Sequence, residues 1–189
     1  MHQVLKKILL VDDATEHLSL LFKQRLPWLI VGLLGGTVAS FVVSRFEHII
    51  SQNIELAFFI PIIMYMGDAV GEQTENIYVR NLGREKVNFK LYLIKESILG
   101  FLIGIFFGSI IGVLSFIWLR SFETSITIAL AMILTITIAP LISLLTSQIL
   151  FFEKTDPALG SGPFATIIQE TISLLVYFLL ASLIIFNGI

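Results

Sequence analysis

The sequence predicts an all-α integral membrane protein with five transmembrane helices per protomer, preceded by a short amphipathic cytoplasmic helix. Of its 189 residues, 56% are hydrophobic and only 14% are charged, and the mean hydropathy is +0.93. A typical soluble domain carries about 25% charged residues. The lack of cysteine excludes a thiolate metal site, and the net charge of −2 gives no indication of nucleic-acid binding.

Residues 1–24 are predicted to form a cytoplasmic segment that approaches the membrane. Asp13 and Glu16 fit a capping box at a helix start, and Leu18, Leu21 and Phe22 then supply an apolar stripe. We therefore expect an interfacial helix here, with a frayed tail as the alternative. Residues 25–189 are predicted to form the five-helix domain.

Five apolar segments approach or exceed the roughly 20 residues that a helix needs to cross a bilayer. They cover residues 27–43, 54–76, 97–119, 126–151 and 164–186. Ten of the twelve Lys and Arg residues lie on one side of these segments, against Arg45 and Arg120 on the other. The positive-inside rule makes that side cytoplasmic. We therefore expect a multi-pass protein of the cell membrane, with its N-terminus cytoplasmic and its C-terminus outside.

The third span contains a glycine ladder with strict four-residue spacing, formed by Gly100, Gly104, Gly108 and Gly112. Residues four apart share one face of a helix, and the missing side chains let another backbone approach closely. The ladder predicts a tight helix contact, with a partner in this chain or in another. At the start of the same span, we expect Lys95 and Glu96 to pair near the membrane interface.

Acidic residues within the second and fifth spans are the strongest indication of function. Glu170 lies seven residues past Pro163, while Asp68, Glu72 and Glu75 follow an i, i+4, i+7 spacing that puts them on one helix face. A carboxylate within a bilayer is costly and marks an ion or proton path. At about 1.5 Å per residue, Asp68 and Glu170 lie at the same depth, roughly 10–12 Å from the cytoplasmic end. Solvation at the helix end is the alternative for Glu72 and Glu75.

Oxygen ligands dominate this set of polar groups, which favours Mg²⁺, Ca²⁺ or Mn²⁺ over softer metals. Gly67 and Gly71 could free backbone carbonyls towards a cavity. Ser143, Thr146 and Ser147 share a face of the fourth span, and their hydroxyls could line a wet path or bond carbonyls one turn back. No cofactor is expected, because the ion itself is the substrate.

Four functions fit these residues. A passive divalent-cation channel needs no fuel, because a divalent ion gains roughly 4–5 kcal/mol per 100 mV on entering a cell. A proton-coupled exchanger of Mg²⁺, Mn²⁺ or Co²⁺ would use Asp68 or Glu170 as proton carrier. An intramembrane metal-dependent lipid-headgroup enzyme lacks a recognisable nucleophile here. A non-conducting scaffold would leave Glu170 unexplained.

Several short motifs resemble the transmembrane domain of the MgtE family of magnesium channels. The resemblance covers about residues 25–189, nearly the whole chain, and the Asp-Pro-Ala-Leu stretch with its downstream acid is its most specific part. The motifs are Arg25-Leu26-Pro27-Trp28-Leu29, Gly71-Glu72-Gln73-Thr74 with Val79-Arg80, Lys95-Glu96 and Asp156-Pro157-Ala158-Leu159.

The resemblance implies a homodimer whose pore lies on the two-fold axis and is lined by the second and fifth helices. Glu170 matches the family's fifth-helix acid, which holds hydrated Mg²⁺, and Asp156 matches another acidic pore position. The metal set is thus Glu170, Asp68, Asp156 and Glu72. The pore-lining set is Gly67, Ala69, Gly71, Thr166, Gln169, Ser173 and Ser143.

Departures from the family pattern bear on selectivity and regulation. Gly67-Asp68-Ala69 stands where the family has Gly-Gly-Asn, Glu170 is one methylene longer than the usual Asp, and Gly162 replaces an Asn. These changes leave Mn²⁺, Co²⁺ and other divalent ions open. Residues 1–24 offer no room for the cytoplasmic sensor with CBS domains that many members carry, so gating is expected to proceed without it or through a separate partner.

Overall fold

The structure is a computed structural model that describes residues 16–82, 88–153 and 157–186, with the backbone alone at 157–161. These ranges contain helices and no strand, which confirms the all-α prediction. The helices are α1 (Leu18–Arg45), α2 (Glu47–Gln52), α3 (Glu55–Leu82), α4 (Phe89–Leu119), α5 (Phe122–Phe152) and α6 (Pro157–Ala181), followed by a π-helical segment (Ser182–Phe186).

Four helices of the described ranges are long and apolar enough to cross a membrane: α1, α4, α5, and the stretch Gly162–Phe186 of α6 and the π-helical segment. The remaining predicted span corresponds to α3, which at 28 residues is as long as α1. Asp68, Glu72 and Glu75 lower its hydropathy, and it is not one of the four. The count of five spans therefore stays a prediction, although 28 residues rise about 42 Å, more than a bilayer core.

The first span differs from the prediction in its extent. Instead of a separate interfacial helix and a span from residue 27, a single helix runs from Leu18 through Pro27 to Arg45. Proline removes one backbone donor without ending this helix. The predicted boundary at residue 25 is therefore not a break in the helix, and the predicted cap at Asp13 lies outside the described residues.

Local capping explains where α4 and α5 begin and end. The side chain of Asn88 accepts a hydrogen bond from the amide of Leu91 at 3.2 Å, and that of Ser121 accepts from the amide of Thr124 at 3.3 Å. Both satisfy donors that a helix start leaves free. Between the two helices, Arg120 has a left-handed φ of 58° and ends α4, so the chain reverses within two residues.

Helix α5 lies at the centre of the bundle, in contact with α3, α4 and α6, while α1 packs against α6. Its side chains Ile128, Met132 and Ile136 are fully buried against Ile63 of α3 and Tyr177 of α6. Many large apolar side chains on the outer faces of α1 and α4 are exposed instead. This distribution fits a bundle surrounded by hydrocarbon.

The glycine ladder of α4 lies against the backbone of α5. A Cβ atom at Gly104 would lie 2.7 Å from the carbonyl oxygen of Ile133, and one at Gly108 would lie 2.9 Å from that of Ala129. Side chains at these positions would therefore force the two helices apart. The partner of the ladder is in the same chain, and α5 also faces its other two members, Gly100 and Gly112.

Polar contacts fix the two ends of the bundle. At one end, the Asn53 amide donates to the Thr124 hydroxyl at 3.0 Å and joins the chain before α3 to the start of α5. At the other end, the Tyr78 hydroxyl donates to the side-chain oxygen of Gln148. Because α3 and α5 are joined at both ends, their relative register is fixed, and this register positions the site between them.

Candidate cation site between α3 and α6

The second half of α3 meets α6 at a hydrogen bond between two polar side chains. The Nε2 atom of Gln169 donates to Oδ1 of Asp68 at 3.1 Å. Gln169 is only 3% exposed, whereas Asp68 is half-buried. An amide that bonds a carboxylate stabilises the charged oxygen in a protein interior. The acid on α3 is thus held by a residue of α6.

Two glycines of α3 provide the space for the Gln169 side chain. A Cβ atom at Gly67 would lie 2.8 Å from Nε2 of Gln169, and one at Gly71 would lie 2.7 Å from its Oε1 and 2.8 Å from the Ser143 hydroxyl. Real Cβ atoms do not approach other atoms this closely. Gly67 and Gly71 thus allow the amide to pass over α3 and reach Asp68.

Buried hydroxyls of α5 lie beside the contact between α3 and α6. Thr135, Ser143 and Ser147 are each at most 2% exposed, and the methyl carbon of Thr135 would be 2.6 Å from a Cβ atom at Gly67. Among the described residues, the hydroxyls of Thr135 and Ser147 have no hydrogen-bond partner. Thr146 differs, because its hydroxyl donates to the carbonyl of Ile142 at 2.9 Å, as such residues commonly do in membrane helices.

Two further carboxylates lie near that of Asp68. Glu170 and Glu72 are close enough for their charges to act on the carboxylate of Asp68. Glu170 is half-buried, next to Gln169 on α6, and Glu72 is exposed. Such an excess of negative charge favours a cation. Within the described ranges of one chain, however, no group of three His, Cys, Asp or Glu side chains is close enough to hold a metal ion.

The remaining predicted site residues have varied surroundings. Ser173 is only 3% exposed and Ser143 only 1%, so both are enclosed within one chain, while Ala69 and Thr166 are half-buried. Asp156 lies outside the described residues. Sequence reasoning missed Thr135 and the pairing of Gln169 with Asp68. The i, i+4 spacing of Gly67 and Gly71 was the signal that α3 accommodates a close neighbour at this level.

A surface-open pocket among the described residues lies elsewhere. It has a volume of about 480 Å³ and lies between α4 and α5, where Gly112, Phe116 and Phe122 contribute to its walls. Its lining contains no acidic residue. A cation would gain nothing in this pocket, so the acids between α3 and α6 remain the candidate site.

Acids of α3 and α6 thus lie close together within a bundle that contains long apolar helices. A family model described as "Divalent cation transporter" matches residues 60–180. The family is MgtE, and the chain belongs to it. This is a family of transporters and not of enzymes, so the assignment does not support the lipid-headgroup enzyme.

Relatives named magnesium transporter MgtE match most of the chain. The protein of Bacillus subtilis is 32% identical over 163 residues, covering 84% of this chain and 36% of the relative. That of Enterococcus faecalis is 30% identical over 176 residues, covering 92% and 39%. That of Thermus thermophilus is 24% identical over 168 residues, covering 87% and 37%. The chain thus spans little more than a third of the length of these relatives.

Proposed function

We propose that this chain conducts divalent cations passively across the cell membrane, with Mg²⁺ as its main substrate. The observation that carries the proposal is the position of Asp68 on α3 beside Gln169 and Glu170 on α6, where the charges of Glu170 and Glu72 act on the Asp68 carboxylate. Fixed negative charge within a membrane is costly unless it serves an ion path. A passing cation would relieve this repulsion.

The pore is proposed to lie on the two-fold axis of a homodimer. Within the described residues, one chain brings too few acids together for a complete ligand set, whereas two copies of α6 facing each other would present two Glu170 carboxylates to one ion. Magnesium is commonly bound through one or two carboxylates and keeps several waters. Asp68, Glu72 and Asp156 then attract the ion along its path, Ala69 and Thr166 line it, and the buried Ser143 and Ser173 support its walls.

The orientation of the channel follows from the positive residues. With the N-terminus cytoplasmic, the end of α3 that carries Glu72, and the start of α6, face the cytoplasm. Moving one charge through 100 mV is worth about 2.3 kcal/mol. Entry of a divalent cation is therefore favourable without a coupled fuel, which supports a channel.

Flux into liposomes tests this function. The purified chain is reconstituted into vesicles that contain a magnesium-sensitive dye, a Mg²⁺ gradient is imposed, and the parent is compared with Glu170→Gln and Asp68→Asn. The matched control is Glu123→Gln, which removes an exposed acid at the opposite end of the bundle. We expect Glu170→Gln to slow influx at least about tenfold, which corresponds to 1.4 kcal/mol, and the control to retain the parent rate.

Other outcomes separate the alternatives. A parent that admits no Mg²⁺ at any gradient contradicts the proposal and favours a scaffold. Acidification or alkalinisation of the vesicle interior that follows Mg²⁺ flux and is abolished by a protonophore would favour exchange instead. Equal loss of flux in Glu170→Gln and Glu123→Gln would show that position 170 is not part of the path.

A further inference from the structure

We propose that Gln169 is a positioning residue that makes Asp68 offer a single oxygen to the cation, and so favours Mg²⁺ over Ca²⁺. This inference rests on the proposed function and concerns the same site. It assigns to Gln169 a role inside one protomer, in place of a direct contact with the pore. The hydrogen bond to Asp68, the burial of Gln169 and the two glycines beside it carry the argument.

The first step is that Gln169 and Glu170, which are neighbours on α6, have different surroundings. Consecutive residues of a helix point about 100° apart, so Gln169 and Glu170 face different directions. Gln169 is 3% exposed and reaches α3, whereas Glu170 is only half-buried. One residue thus holds the acid of the neighbouring helix, and the next presents an acid of its own.

The second step is the effect of the hydrogen bond on the carboxylate. The Gln169 amide engages Oδ1 of Asp68, and among the described residues no hydrogen bond is made to Oδ2. A carboxylate with one oxygen engaged in this way is predisposed to bind a metal through the other. Mg²⁺ needs near-octahedral geometry and keeps its waters, whereas Ca²⁺ takes six to eight oxygens, often from bidentate carboxylates. Single-oxygen binding therefore disfavours Ca²⁺.

The third step is the dependence of this arrangement on glycine. The Oε1 atom of Gln169 lies 2.7 Å from the position that a Cβ atom at Gly71 would take. Alanine at this position must displace the amide, together with the Ser143 hydroxyl 2.8 Å away, although it replaces no polar group. Gly71→Ala should therefore reproduce the loss of the Gln169 amide, which separates the position of the amide from its chemistry.

The test compares Mg²⁺ and Ca²⁺ influx into liposomes with ion-specific dyes. The variants are Gln169→Met, which keeps the length of the side chain but removes the amide, Asp68→Asn, and the double variant. Gln52→Leu, at an exposed position beyond the opposite end of α3, is the control. We expect Gln169→Met to lower the ratio of Mg²⁺ to Ca²⁺ initial rates at least about fivefold, and Gly71→Ala to do the same.

The double variant decides whether Gln169 acts through Asp68. In the Asp68→Asn background, the ratio should not depend on residue 169, since there is no carboxylate left to position. The drops in melting temperature of Gln169→Met and Asp68→Ala should also be less than additive, because both remove the same contact. If Gln169→Met does not fold, Gln169→Asn gives the same comparison, because its amide is one methylene too short.

Any of three results would overturn the inference. The ratio of Mg²⁺ to Ca²⁺ rates could be unchanged in Gln169→Met, or it could change equally with and without the Asp68 carboxylate. The drops in melting temperature of the two single variants could also be additive. A parent that transports neither ion would instead contradict the proposed function. A parent that transports Mg²⁺, with a ratio indifferent to residue 169, would leave the transport proposal standing and remove only this inference.

Discussion

The hydroxyl of Thr74 donates a 2.8 Å hydrogen bond to Oε2 of Glu96 and joins α3 to α4. Further along α3, Tyr78 packs on Tyr92 of α4, and the Asn81 amide donates to the Tyr92 hydroxyl. Thr74 is only 4% exposed, so water does not readily replace its partner. The contact therefore anchors the acidic half of α3 to α4.

Removing this donor should destabilise the bundle. Thr74→Val keeps the shape of the side chain but leaves the Glu96 carboxylate without this donor, and interhelical hydrogen bonds in membranes contribute about 0.6 kcal/mol on average and up to about 1.7. We expect a lower melting temperature in detergent. Thr37→Val is the control, because the hydroxyl of Thr37 bonds only the carbonyl of Leu33 in its own helix. Equal melting of both variants would show that the Glu96 contact is not stabilising.

The buried hydroxyl of Tyr177 provides a second stability test. It donates to the backbone carbonyl of Leu56 at 2.8 Å, and Tyr177 is fully buried. Tyr177→Phe removes this hydrogen bond, and a typical hydrogen bond contributes about 0.5–1.5 kcal/mol. Tyr65→Phe, at a position that is 69% exposed, should change the melting temperature little. A Tyr177→Phe variant as stable as the Tyr65→Phe variant would contradict the contact.

Substitution of glycine by alanine should affect stability differently at Gly36 of α1 and at Gly104 of the glycine ladder. Alanine improves helix propensity over glycine by about 1 kcal/mol, and nothing lies within 4 Å of a Cβ atom at Gly36. Gly36→Ala should therefore preserve or raise stability. Gly104→Ala places a Cβ atom 2.7 Å from a backbone oxygen of α5, and overpacking of this kind costs about 1–3 kcal/mol. The melting temperature should therefore fall in Gly104→Ala and stay at or above the parent value in Gly36→Ala.

Local patterns in the sequence were sufficient to predict α4, α5 and the small-residue face, but not the start of α1 or the short helix α2. Hydropathy and length predict α4 and α5, because a bilayer demands long apolar helices whose backbone groups are satisfied internally. The four-residue spacing of the ladder predicts a close contact without identifying its partner. The acids of α3 were found because a charge within an apolar run is conspicuous.

The partners of polar side chains could not be predicted in this way. Gln169 and Asp68 are 101 residues apart in the chain, and no local rule relates them. Glu96 was expected to pair with its neighbour Lys95, but the structure gives it Thr74 as a partner. Which donor reaches a buried carboxylate depends on how the helices are rotated about their axes, and that rotation is decided by packing over the whole bundle.

Substitution of Thr135, whose hydroxyl has no partner among the described residues, tests whether the contact between α5 and α3 contains ordered water. Thr135 is 2% exposed and lies beside Gly67, and no described residue bonds its hydroxyl. In a dry contact, Thr135→Val removes a buried polar group that costs about 1–3 kcal/mol when unsatisfied, so the melting temperature should rise and Mg²⁺ influx should stay at the parent rate. Thr146→Val is the matched control, because that hydroxyl is already bonded to Ile142. A less stable Thr135→Val variant with slower influx would instead place ordered water at this hydroxyl and extend the ion path to α5, since buried waters bind where polar groups lack protein partners.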